Sequence, residues 1–278
     1  MKKIISLMLA IVMVFALCAC GADKAEAKDR LAQIKEKGVL ELANEPFFAP
    51  YEFVDPTQEG DAQYVGMDIE FAKAIADKIG VELKVVPLDF TAVLAGVTEG
   101  KYDMAISAIS YSPTREEAMA LSDGYYFSES TGYGFLTRAE DAEKYTSIES
   151  LKDAVVITQS GSVQEGICNA QIKDCKEFKL VANMTDGYLA VAENKADVCV
   201  CSIESASLYA EANGGLAIPD FKFETDPRMD AVVVALPKEG TESLMEVVNE
   251  VIADLLEEDQ FNKWMAEYGD YARTLGIE

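Results

Sequence analysis

PLDFTAVLAGVTEGKYDMAISAISYSPTREEAMALSDGYYFS, residues 87–128, is the stretch whose reading decides the fold. Phe90 to Glu99 reads as a helix, and Gly100 closes it, glycine being the residue that most easily takes the left-handed conformation after a helix. Tyr102 to Ile106 is a short apolar run of the kind that forms a buried strand. Ser107 to Ser112 follows as a loop, and Pro113 is placed to open the next helix. A helix leading into a strand, and a loop leading out of it, form one step of a beta-alpha alternation.

The alternation continues on both sides. Asp29 to Lys37 reads as a helix stopped by Gly38, and Val39 to Ala43 as a strand. Asp68 to Ile79 carries Ile69, Ala72, Ile75, Ala76 and Ile79 at helical spacing, with Gly80 after it. Val81 to Val86 is a strand. A second set follows: strands at Ala154 to Thr158, Phe178 to Val181 and Val198 to Cys201, and helices at Val163 to Ile172, Thr185 (as cap) to Glu193 and Ile203 to Ala212. Crossovers of this length imply parallel sheets covered by helices. Tyr125 to Thr137 lacks helical period and suits an extended crossing between two α/β domains, and Asp220 to Asp230 reads as a return crossing. Ala231 to Ala235 is then another buried strand. Thr241 to Glu257 is a long helix with Leu244, Val247, Val248, Val251, Ile252 and Leu255 on one stripe. Ligands of such sheets bind outside the carboxyl ends of the strands.

Composition narrows the chemistry. The 278 residues include 24 Lys and Arg, 49 Asp and Glu and no His, a formal charge of −25. So acidic a chain lacks the cations that nucleic-acid binding requires. Without His there is no Ser-His or Cys-His catalysis, no metal site is expected, and no cofactor motif stands out. Lys2 and Lys3 precede an apolar run from Ile4 to Cys20, and Leu17-Cys18-Ala19-Cys20 resembles a bacterial lipobox. Cleavage before Cys20 would make residues 1–19 a lipoprotein signal peptide, Cys20 the lipidated residue and 20–30 a tether. The alternative is a plain transmembrane anchor. Among the remaining cysteines, Cys168 and Cys175 are the plausible disulfide pair in an exported protein. Cys199 and Cys201 alternate along a strand and read as small core hydrophobes.

Three loops after strands carry candidate ligand groups. Ser107 and Ser110 offer hydroxyls, and Arg115 falls in the first turn of a helix, where a cation opposes the dipole unless an anion compensates. A solvated Arg115 paired with Glu116 or Glu117 is the bland alternative. Gln159-Ser160-Gly161-Ser162-Val163 places amide groups at a helix start, where they can hold an anion; Ser162 also suits a simple N-cap. Asn44-Glu45-Pro46-Phe47-Phe48-Ala49-Pro50-Tyr51 brings aromatics and an acid to the end of the first strand, either lining a cleft or forming a satellite cluster.

FFAPYEF (47–53), VGMDIEFAKAIADKIG (65–80), residues 87–128, SGSVQE (160–165) and KADV (195–198), in this order, resemble the polar-amino-acid branch of the bacterial extracellular solute-binding proteins, family 3. The resemblance runs from Leu31 to Gly269. It implies a type II periplasmic-binding-protein fold: two parallel-sheet α/β lobes joined by a two-strand hinge, closing on the ligand. The first lobe would comprise 31–126 and 230–278, the second 131–225, with crossings near 127–130 and 226–229. Arg115 stands where the family grips the ligand α-carboxylate, together with Ser162 and the Val163 amide. Ser110 and the Ala108 carbonyl stand at the α-ammonium, Ser107 at a hydroxyl contact, Phe48 and Phe90 around the side-chain stem, and Glu45 at its end. The family usually has an Asp five residues beyond the Asp of KADV, and this chain has Ser202 there. The ammonium then meets Ser202 or a displaced Glu204, or the ligand carries none. The implied protein is a monomeric, membrane-anchored extracytoplasmic binder that delivers an amino acid to an ABC permease. An enzyme on the same scaffold, dehydratase-like, and a ligand-sensing domain are the alternatives.

Overall fold

The computed structural model describes residues 29–127 and 132–277. The expected signal peptide, Cys20, the tether up to residue 28 and the crossing residues 128–130 lie outside the described residues. The helix Arg30–Lys37 is capped by Asp29, whose side chain accepts the Ala32 amide, so the expected tether overlaps the first helix by one residue. Strand β1 (Val39–Asn44) pairs in parallel with β5 (Glu82–Pro87) and β6 (Met104–Ala105). Short strands β2 (Phe47–Phe48), β3 (Glu52–Val54) and β4 (Tyr64–Val65) form an antiparallel excursion between β1 and the helix Met67–Ile79. β7 (Ala120–Phe127) ends at the first crossing, and β8 (Tyr133–Arg138) begins the second set. β9 (Val155–Gln159), β10 (Glu177–Val181), β11 (Val198–Ser202) and β12 (Leu216–Ala217) complete that set, and β13 (Ala231–Leu236) returns to the first.

The two sheets have orders β5-β1-β6-β13-β7 and β10-β9-β11-β8-β12. Neither is wholly parallel, which corrects the expectation of purely parallel lobes. β13 runs antiparallel to β6 and β7, and β8 runs antiparallel to β11 and β12. In each sheet the reversed strand is the first one to arrive from the other set. A chain crossing directly between sheets, without a helix to turn it round, enters in the opposite sense. The second crossing ends in a 3₁₀ turn at Pro227–Asp230 rather than in a strand.

Both faces of each sheet are covered. Along β13, Val232 and Val234 pack with Leu42, Ile69 and Phe71, whereas Val233 and Ala235 pack with Ala43, Phe90 and Val93. Along β11, Val198 and Val200 face one cluster, while Cys199 and Cys201 face the other. This is the two-residue alternation of a strand buried on both sides. All four described cysteines are free thiols. The expected Cys168–Cys175 disulfide is absent: Cys168 packs in the second sheet's core, and burial pushes its thiol up to about 12. The helix Met184–Ala192 is capped by Asn183, two residues earlier than the expected Thr185. A C-terminal helix, Gln260–Leu275, buries only Phe261 and Ala272 among its residues, too faint a stripe to stand out in the sequence.

Gly66 holds the excursion against the helix that follows it. Its φ of +127° and the Tyr51 carbonyl oxygen, 2.3 Å from where a Cβ would stand, leave room only for glycine. This close approach lets the Asp68 amide donate to the Tyr51 carbonyl and seats Asp68 in the first turn of the helix.

Candidate functional site

The site forms where strand ends of both sheets meet. β1 and β6 pair in register, Ala43 opposite Ala105, so two residues further on Glu45 lies beside Ser107. The Glu45 amide donates to Ser107 Oγ at 3.0 Å, and Ser107 Oγ donates to Glu52 Oε1 at 3.1 Å. Glu52 and Asp68 are both fully buried and touch. Glu52 Oε2 has no partner unless it carries a proton; protonated, it can donate to Asp68. Burial, and then the Asp68 charge, push the Glu52 carboxyl well up, so Glu52 holds the proton and Asp68 the charge. Burial also pushes Asp68 to about 6, opposed by the hydrogen bonds it receives. Asp68 accepts from the Tyr125 hydroxyl at 2.8 Å and from the Ala108 amide at 2.7 Å. Ala108 has φ +45°, a conformation that costs about 1–3 kcal/mol for a non-glycine residue. The charged hydrogen bond that its amide donates to Asp68 holds it there.

Arg115 is not the solvated residue of the bland reading. It is 7% exposed, its guanidinium lies 5.4 Å from the centre of the Phe90 ring, and burial lowers its pKa to about 10. It donates to the Ser110 carbonyl at 2.6 Å and, across the cleft, to the Gly161 carbonyl at 3.1 Å. These partners are neutral, so the cation is unpaired by any described carboxylate.

On the second set, Gln159 ends β9 and Ser162 caps the helix Val163–Gln171. Ser162 Oγ accepts the Glu165 amide at 3.1 Å and donates to the Gln159 carbonyl at 2.7 Å. The Glu165 carboxylate turns back to accept the Gly161 amide at 2.7 Å. Ser162 is therefore an N-cap, and its hydroxyl is already engaged. The Gln159 amide nitrogen lies 2.9 Å from both oxygens of Glu45. Glu45 is 4% exposed; burial pushes its carboxyl to about 8, with Asp89 and Asp186 adding to the rise and the Gln159 bond opposing it.

One cavity is lined by every residue expected at the site except Ser202, which lies in an adjoining cavity behind Phe48 and Ser110. Sequence reasoning missed Gln159, Glu52, Asp68 and Tyr133. The Tyr133 hydroxyl lies 3.1 Å from Ser110 Oγ and 3.0 Å from the Met229 carbonyl. None of these carries a signal of its own in the sequence: Asp68 is one of two acids, with Glu70, in the first turn of its helix, and the others are ordinary residues until the two sheets meet. Among the described residues no group of three or more Cys, Asp and Glu is arranged to hold a metal ion, and no helix is long and apolar enough to cross a membrane.

The arginine-binding extracellular protein ArtP of Bacillus subtilis is 31% identical over 229 residues, 81% of this chain and 83% of that protein. The cyclohexadienyl dehydratase of Pseudomonas aeruginosa is 25% identical over 70% of each chain. A crystal structure of a Streptococcus pneumoniae amino acid ABC transporter substrate-binding protein bound to L-arginine superposes with a TM-score of 0.79. It is 31% identical and covers 87% of this chain and 98% of that one. Residues 40–271 match the profile of the bacterial extracellular solute-binding proteins, family 3. With that match spanning both sheets and the cleft between them, the chain belongs to the bacterial extracellular solute-binding proteins, family 3.

Proposed function

We propose that this protein captures an amino acid with a cationic side chain, arginine being the best fit, and delivers it to an ABC permease. The observation that carries the reading is Glu45: a buried acid at the end of the cleft opposite Arg115, bonded only to neutral groups. The ligand α-carboxylate replaces the Gly161 carbonyl on Arg115 and gains the amide groups at the start of the helix Val163–Gln171. Phe48 and Phe90 enclose the aliphatic stem, and the cationic tip replaces Gln159 as the partner of Glu45. Ser107 and Asp68 act behind these groups, the first orienting the Glu45 backbone and the second fixing Ala108. The likeness to proteins described with arginine supports the same assignment.

Residues 31–126 with 230–278, and 131–225, are the two lobes, and they rotate about crossings near 127–130 and 226–229. The Gln159–Glu45 and Arg115–Gly161 bonds cross the cleft, so ligand entry exchanges lobe–lobe bonds for lobe–ligand bonds. Lipid on Cys20 holds the monomer to the membrane, and Cys20→Ser releases it into the soluble fraction.

A calorimetric titration with L-arginine, L-lysine and L-glutamine tests the ligand class: binding of glutamine with indifference to both cations would overturn it. One observation favours a second reading. Glu45, with its carboxyl near 8, is a proton donor at neutral pH, as a dehydratase acid would be. Prephenate turnover by the purified protein would establish that reading; its absence alongside arginine binding leaves the binder.

A further inference from the structure

The family position for an acid at the ligand ammonium holds Ser202, which ends β11 and stands at the N-cap of the helix Ile203–Asn213 without a side-chain capping bond; its hydroxyl is neutral and cannot balance an ammonium charge. Glu204 lies in the first turn of that helix. Ser202, Glu204, Ala108 and Ser110 line one cavity, which adjoins the cavity of Glu45 and Arg115 and shares with it Phe48, Ala108, Ser110 and Gln164. Glu204 Oε1 accepts from the Tyr126 hydroxyl at 3.0 Å, and Oε2 accepts from the Tyr51 hydroxyl at 3.2 Å. Both phenols belong to the first sheet's core, whereas Glu204 belongs to the second set, so the two bonds cross the cleft. No ion pair among the described residues includes Glu204. A carboxylate has about four acceptor positions. Two neutral donors therefore orient this one without neutralising it, and each oxygen keeps a free lone pair.

We propose that Glu204 takes over the role of the missing acid at position 202: delivered from the adjoining helical turn and aimed by Tyr51 and Tyr126, it accepts the ligand's α-ammonium. The inference rests on the amino-acid reading above. The ammonium then lies between the Ala108 carbonyl, Ser110 and Glu204. Because the phenols that aim the carboxylate come from the opposite lobe, the acceptor is in place only when the cleft is closed. Ammonium recognition and closure are thereby coupled through one side chain.

The test pairs a variant with a ligand. Wild type and Glu204→Gln are titrated with L-arginine and with δ-guanidinovalerate, which is arginine lacking its α-ammonium. The expected result is a loss of about 10- to 100-fold for arginine in Glu204→Gln, as for a lost charged hydrogen bond, with no change for δ-guanidinovalerate. Adding Ser202→Asp to Glu204→Gln restores arginine binding, which also answers a variant whose stability has fallen. Unchanged arginine affinity in Glu204→Gln, equal losses for both ligands, or an arginine-specific loss in Asp230→Asn or Ser202→Ala instead, would each overturn the assignment. A wild type that ignores arginine would overturn the cationic-ligand reading alone. The same comparison is then made with the amino acid that most raises the melting temperature and its desamino analogue.

Discussion

The two ends of the cleft bury opposite charges in the same way. At one end Arg115 is surrounded by the Ser110 and Gly161 carbonyls and the face of Phe90. At the other, the Glu45 carboxyl meets only the Gln159 amide, while the Glu45 backbone amide donates to the Ser107 hydroxyl. A structural ion pair would place the two charges together, as Arg138 does with Asp141 and Asp197. Here each ionisable group has been desolvated and given neutral partners instead of a counter-ion. A buried charge held this way gains strongly from an opposite charge that enters the cleft. The ends differ in how they answer the desolvation. Arg115 remains a cation, because even a pKa lowered to about 10 is far above neutral pH. Burial pushes the Glu45 carboxyl up to about 8, so at neutral pH it favours the protonated form. The carboxylate end is a permanent socket, and the cation end one that charges when its ligand arrives.

The largest test removes the permanent socket. Arg115→Ala should weaken L-arginine binding by about 30- to 4,000-fold, since truncating a buried charged partner costs about 2–5 kcal/mol. The melting temperature of the ligand-free protein should hardly change; calorimetry and a thermal scan measure the two. Intact binding would remove Arg115 from the site.

Glu45→Gln sharpens the contrast between the ends. Arginine should bind about 10- to 100-fold more weakly and L-glutamine no worse, because only the charged contact is lost. Equal losses for both ligands would mean that Glu45 shapes the cleft rather than reading its charge.

A smaller effect follows from the titration of Glu45. Its carboxyl rises from an ordinary 4.5 in the unfolded chain to about 8 in the folded one. The folded state therefore holds the proton more tightly, and this contribution to stability is full below about 4.5 and lost as the pH rises to about 8. A cationic ligand favours the ionised form, so binding at neutral pH should release up to about one proton, and affinity should rise toward pH 8. Titrations in buffers of different ionisation enthalpy count the proton, and Glu45→Gln should abolish it. The smallest effect concerns the helix at the anion end. Ser162→Ala should cost about 1 kcal/mol in urea unfolding, the usual loss of an N-cap, with arginine affinity changed by less than about tenfold.

Much of the fold was legible along the chain. The strands at β1, β9, β11 and β13 and the helices at Met67–Ile79, Phe90–Thr98 and Glu242–Glu257 announce themselves by apolar period and terminal glycines, and their bounds fall within a residue or two of expectation. β2, β3 and β4 were not legible, being too short to show alternation. Nor was the reversed sense of β8 and β13, because strand direction is a property of pairing. At the site, Arg115, Ser110 and Ser162 stood out as polar residues in loops after strands. Gln159, Glu52 and Tyr133 did not, since nothing local marks a glutamine at a strand end; Glu204 was legible only as one of several alternatives at the ammonium.

By itself, the amino-acid sequence determined the alternation of strand and helix, the absence of histidine chemistry, and which loops carry an arginine, hydroxyls and free amides. Those are local quantities, set by spacing and side-chain type. Only the tertiary structure decided that Arg115 and Glu45 face neutral partners in one cleft, that a protonated Glu52 lies against a charged Asp68 behind it, and that Glu204 is held by two phenols from across it. Each of these depends on which distant residues meet once water is excluded, and burial of a charge is a consequence of packing that no single segment carries.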